Sequence, residues 1–185
     1  MALFDSLVQQ LQNRETLPPL VPTQLWNDEI SQQVAAADNV TLFGAGSSSS
    51  TRADACRAGL LLWNDDLDAS HDIAQHIDDA TGSFWHAIMH RREGDYANAN
   101  YWWRRTGTHP AFSDVHEAVL NTLQTETSHD AQAFVARLQS AGSWQPIEFV
   151  ACCERAQRRA DDAWLRRSQV AEMSALLNWC RSENG

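Results

Sequence analysis

The stretch HDIAQHIDDATGSFWHAIMHRREGDYANANYWWRRTGTHP, residues 71–110, decides how this chain is read. It holds five of the seven histidines, three of the eight tryptophans, both tyrosines and four of the fourteen arginines. Its spacing predicts helices near 83–93 and 96–106. Gly94 between them stands where a helix C-terminal cap belongs, and Asp95 where an N-cap belongs. So short a connection makes the two helices antiparallel neighbours. Concentrating imidazole, guanidinium and indole groups in one segment is costly unless they meet each other or a ligand. The same forty residues therefore carry the fold's pattern and the candidate site.

Helical periodicity continues outward from this hairpin. Leu3, Leu7, Val8 and Leu11 form one apolar stripe, prolines between 18 and 22 end it, and Leu25, Trp26, Ile30 and Val34 begin another. Further helices are expected near 51–63, 67–79, 113–126, 129–140 and 146–181, the last broken near Asp161. Ser83 and Ser113 are expected N-caps, Pro146 a first-turn residue, and Gly107 and Gly142 C-terminal caps. The segment 38–50 reads as a Gly/Ser loop, and VTLF at 40–43 is its only strand candidate. The expected fold is all-α: one domain of eight or nine helices with antiparallel hairpin packing. Residues 1–48 would pack as N-terminal helices and loop on a core formed by 49–185.

The chain has 185 residues, 43% hydrophobic and 21% charged, enough for one sizeable core. Fourteen basic side chains face twenty-four acidic ones, a formal charge of −10, which argues against nucleic acid and anionic membranes as partners. Every basic residue is arginine. Without lysine there is no Schiff-base nucleophile, Walker A lysine, kinase strand lysine or Ser–Lys pair. GAGSSSS at 44–50 lacks the third glycine of a dinucleotide fingerprint and reads as a linker. Asp5 stands where a leader would be basic, and no apolar run reaches the ~18 residues of a membrane span. Cys56, Cys152, Cys153 and Cys180 form no C-x-x-C pair, so reduced thiols and a cytoplasmic location are expected. Trp63, Trp164 and Trp179 read as core, and Arg155–Arg167 as a salt-bridged face with Asp161 and Asp162.

Three patterns inside 71–110 point to chemistry. His86, His90 and Glu93 share a helix face at i, i+4 and i+7, a spacing that suits a divalent metal, with His71 or His76 as a further ligand or general base. Ala87 stands where the H-E-x-x-H motif carries its glutamate. The pairs Arg91-Arg92 and Arg104-Arg105 suit phosphate or carboxylate, although pairing with Glu93, Asp95, Asp78 and Asp79 is the plainer reading. Asn98, Asn100, Tyr101 and His109 add neutral hydrogen-bonding groups, expected at the same end of the hairpin. The ligand-binding candidates are thus His71, His86, His90, Arg91, Glu93, Asn98, Tyr101, Arg105 and His109. The leading expectation is a helical binding module for a small anion or peptide. A metal-dependent hydrolase on His86, His90 and Glu93 is the alternative, and a structural homodimer subunit the third reading.

Two resemblances accompany these patterns. Ala87, Gly94, Asp95, Tyr96, Ala99 and Trp103 resemble one tetratricopeptide unit, with Pro110 about one place early for its terminal proline. No second copy is found, so the resemblance implies a helical hairpin and not an array. FWHAIMHRREGDYANANYWWRRTGTHP, with WQPIEFVACCERA and QVAEMSALLNWC, also looks like an uncharacterised family of small helical proteins. That resemblance implies one domain over roughly 50–181 and no activity.

Overall fold

The computed structural model describes residues 2–44, 50–157 and 162–182. Among them the chain is all-helical, with eleven helices and no strand. These are α1 (Leu3–Gln12), α2 (Asp28–Ala36), α3 (Asn39–Phe43), α4 (Ser50–Trp63), α5 (Leu67–Ala74) and α6 (Ala80–Glu93). There follow α7 (Tyr96–Thr106), α8 (Phe112–Thr122), α9 (His129–Ala141), α10 (Pro146–Ala156) and α11 (Ala163–Arg181). No helix among the described residues is long and apolar enough to cross a membrane.

Two helices exceed the expected count. VTLF, expected within the 38–50 loop, lies in α3, whose N-cap Asp38 accepts from the Thr41 N–H at 2.7 Å while Leu42 and Phe43 enter the core. The helix expected over 146–181 with a break near Asp161 is α10 and α11, which end at Ala156 and begin at Ala163. Residues 45–49 of the linker, and Arg158, Arg159 and Asp161 of the expected charged face, lie outside the described residues. Two expected caps also move. Asp79 caps α6 in place of Ser83, accepting from Thr81 and Gly82, and α8 begins after Ala111 with no side-chain cap from Ser113. One carboxylate oxygen of Asp79 satisfies two orphan N–H groups, while Ser83 falls inside the first turn.

One cluster of buried side chains runs from Phe4 to Cys180, joining the N-terminal helices to the rest. Helix α6 lies at its centre, with residues 82–92 all buried, so it shows no polar face. It packs on α4, α5 and α7. At Gly59 on α4 an added Cβ would stand 2.6 Å from the Trp85 ring, so that close approach requires glycine. Helix α11 packs against α4 and α8, and α10 against α7. Gly94 is left-handed at φ 82° and ends α6, and Asp95 caps α7 through the Asn98 N–H. The hairpin is antiparallel: Phe84 meets Trp103, His86 meets Trp102 and His90 meets Asn98.

The end of α6 carries two adjacent arginines that are almost wholly buried. Arg91 Nη2 lies 2.5 Å from Glu172 Oε2 of α11, with its guanidinium 4.6 Å above the Phe149 ring. Arg92 pairs with Asp65, donates to the Leu62 carbonyl, and reaches the Pro19 carbonyl at 3.2 Å. Asp65 also holds Arg14 at 2.8 Å. Sequence reading expected these arginines to pair with nearby acids of the hairpin; their partners come from other elements.

Asp65 stands in the left-handed region at φ 64°, which asparagine tolerates. Asp65→Asn therefore preserves the turn while removing the charge facing Arg14 and Arg92. We expect a loss of about 3–5 kcal/mol in urea-unfolding free energy, the cost of orphaning a buried charge. A loss under about 1 kcal/mol would show that the guanidiniums are neutralised elsewhere.

Candidate functional site

Helical geometry sets which predicted residues meet. Residues 86 and 90 are one turn apart on α6 and project toward α5 and α7, while Arg91 and Arg92 turn toward the interior. His71, on α5, completes a cluster of imidazoles. Its ring centroid lies 5.0 Å from that of His86 and 5.7 Å from that of His90, and those two are 5.9 Å apart. Trp102 stacks on His86 at 4.1 Å with 7° between the planes. Tyr101 is exposed and edge-on to Trp102 at 5.5 Å, and the Arg105 guanidinium lies 5.4 Å from the centre of the same indole.

Beside this cluster a recess of about 370 Å³ is lined by Gln75, Asp78, Ser83, His86, Trp102 and Arg105, among others. Burial pushes His86 down to about 4, and His71, His90 and Arg105 add repulsion; the Gly82 carbonyl opposes the shift. The ring is therefore neutral at neutral pH, and its one N–H is engaged by the Gly82 carbonyl. His71 makes ring contacts and no side-chain hydrogen bond among the described residues. Arg105 has no acidic partner among them. Of the two aspartates at the recess, Asp79 is committed to the cap of α6.

Several candidates stand elsewhere or serve the fold. Arg91 is locked to Glu172 and meets no recess. Because the hairpin is antiparallel, Arg91 and Arg92 lie at its turn while Arg104 and Arg105 lie about 15 Å along α7, so the two pairs do not form one cluster. His109 is at the opposite end from Asn98, not beside it. It packs on Phe84 and Trp179 at 5.3 and 4.6 Å, accepts from the Ala111 N–H at 3.1 Å, and meets Thr81 Oγ1 at 3.2 Å. His76 is exposed against the Asp72 carbonyl and outside the cluster.

The expected metal set is not assembled. Among the described residues no three His, Cys, Asp or Glu side chains are grouped to hold an ion. Glu93 Oε2 engages His90 Nδ1 at 2.8 Å, Asn98 Nδ2 sits 3.2 Å from Nε2 of the same ring, and His86 lies flat on Trp102. Trp102 is the residue that sequence reasoning left out. Its signal was the adjacent pair Trp102-Trp103, which helical geometry sends to different faces, one to the recess and one to the core.

No family model matches the chain, and neither does any curated protein or solved structure. The site is therefore argued from its own geometry.

His109 is also pushed down to about 4, again by burial, with Asp79 opposing. Folded values below the ordinary 6.5 mean that the fold prefers neutral rings. Their contribution is intact above pH 6.5 and is lost as pH falls through about 4, at most on the order of 3 kcal/mol for each ring. Thermal unfolding followed between those pH values should show a falling midpoint, with a shallower fall in His109→Gln. An identical pH dependence in the variant would remove His109 from this account.

Proposed function

We propose that the protein is a helical binding module whose recess at His86, Trp102 and Arg105 takes a small carboxylate or phosphate anion. One observation carries the reading: Arg105 and His86 border the same recess, the Arg105 charge disfavours protonation of His86, and Arg105 has no acidic partner among the described residues. An anion between them would accept from the guanidinium and favour a second proton on His86, whose neutral-state N–H is taken by the Gly82 carbonyl, while offsetting their repulsion. His71 lies edge-on to His86, behind the recess wall. Trp102, fixed against His86, lies with its ring facing the Arg105 guanidinium.

The support for this recess is the α6–α7 hairpin, which we read as one tetratricopeptide-like unit. Ala87 and Ala99 are fully buried where the helices approach, Gly94 makes the turn, and Trp103 packs on Phe84. Those features support recognition by side chains carried on two packed helices.

Inorganic phosphate titrated against ring-labelled protein tests the proposal. Binding should raise the His86 titration from about 4 toward its ordinary 6.5, because the repulsion is offset. Arg105→Ala should weaken phosphate binding by about tenfold or more with little change in stability, since the side chain is exposed. Histidine titrations indifferent to phosphate and to acetate would overturn the reading.

A further inference from the structure

A second cavity, about 700 Å³, opens between α1 with its following segment, α8 and α11, and no candidate residue of the hairpin lines it. Its volume lies in the range of sites that enclose small organic ligands. Leu11, Leu17, Val170 and Ala171 give it an apolar wall.

The directions of the helices polarise it. His109, just before α8, lies 4.6 Å from Trp179 near the end of α11. Arg167, near the start of α11, pairs with Glu126 beyond the end of α8. The two helices are therefore antiparallel, and Asp114 and Glu117 face the later turns of α11, at the end marked by Asn178. The opposite end holds Arg14 and Arg167. Arg166 pins the chain there, donating to the Leu17 and Pro18 carbonyls at 2.9 and 3.1 Å.

Charge at the two ends is uncompensated in opposite senses. Asp114 and Glu117 are exposed and have no cationic partner among the described residues. At the other end Asp65 serves two guanidiniums, those of Arg14 and Arg92, so one positive charge is left over. Two N–H donors of the lining residues, Arg14 Nε and Trp63 Nε1, are buried with no acceptor, although both side chains are more than nine-tenths buried. Core indoles such as those of Trp85 and Trp103 share this state, so it is the position of Arg14 and Trp63 on the cleft wall that makes their donors relevant to a ligand.

We infer that this cleft binds a short apolar peptide with free termini, its carboxylate toward Arg14, Trp63 and Arg167 and its ammonium toward Asp114 and Glu117. Arg167 and Asn178 are eleven residues apart on α11, about 16 Å, which an extended tetrapeptide of about 13 Å fits with its terminal charges near both ends. Apolar side chains of the peptide would lie on Leu11, Val170 and Ala171.

Calorimetry with alanyl-leucyl-leucyl-alanine tests this at low salt. The free peptide should bind with 1:1 stoichiometry, and N-acetylation or C-amidation should each weaken it by about tenfold. In Asp114→Asn/Glu117→Gln, whose substituted side chains are exposed, free and acetylated peptides should bind alike. Ala171→Phe should fill the cleft and abolish binding. No binding to the native chain, equal binding of the doubly blocked peptide, or unchanged discrimination in the double variant would each overturn the assignment. The recess at Arg105 is untouched by these variants, so failure here and failure there are separable.

Discussion

Two neighbouring guanidiniums at the end of α6 are enclosed in the core, and the rest of the molecule is arranged around them. Removing an ion from water costs several kcal/mol unless its hydrogen-bonding capacity is met. Arg92 draws on the Leu62 carbonyl at the end of α4, Asp65 in the following turn and Pro19 in the N-terminal segment. Arg91 draws on Glu172 of α11 and the face of Phe149 of α10. Five separate parts of the chain converge on one turn of helix. A lysine ammonium, a point charge with three donors, would not span partners spread so widely, whereas the planar fork of arginine does. The lysine-free composition is consistent with cations being used here as structural connectors.

The same helix sets the chemistry of the recess. One turn of α6 sends His86 and His90 toward α5 and α7 and the next two residues inward. The imidazoles are consequently held on a backbone fixed by ion pairs that they do not share. Their burial keeps His86 neutral, so it acts as a hydrogen-bond donor and not as a standing positive charge. Glu93, the residue that completes a metal spacing in sequence, is spent orienting His90. Spacing along a helix shows which side chains share a face; it does not show which of them another helix has already engaged.

The helical class, the antiparallel hairpin, and the caps at Gly94, Asp95 and Gly142 were legible because each depends on local spacing and turn chemistry. His71, His86, His90 and Arg105 could be named as candidates for the same reason. The partners of Arg91 and Arg92 were not legible, since Glu172 lies 81 residues from Arg91 and Asp65 lies 27 from Arg92. Acids nearer in sequence were the natural guess, and tertiary packing overrode it. Helix α3 was not legible because five residues beside a Gly/Ser run are too few to show helical periodicity, whereas capping by Asp38 and burial of Leu42 and Phe43 favour a short helix. The polarised cleft was invisible because its lining comes from four separated stretches whose polar residues look ordinary one by one.

Overall charge places a demand on any anion site in this chain. At −10 the molecule repels anions at long range, yet the recess presents Arg105, without an acidic partner among the described residues, beside the neutral imidazole of His86. Repulsion between exposed charges decays over a Debye length, about 8 Å at physiological ionic strength, while contacts inside the recess act at about 3 Å. Raising the salt from very low values therefore removes the long-range penalty before it weakens the short contacts. An anion held at Arg105 and His86 should consequently associate faster as salt first rises, opposite to the steep weakening of a site that works by its overall field. The cleft at Asp114 and Glu117 stands in the reverse relation: there the field of the molecule and the local carboxylates attract the same ammonium group, and salt can only diminish the attraction.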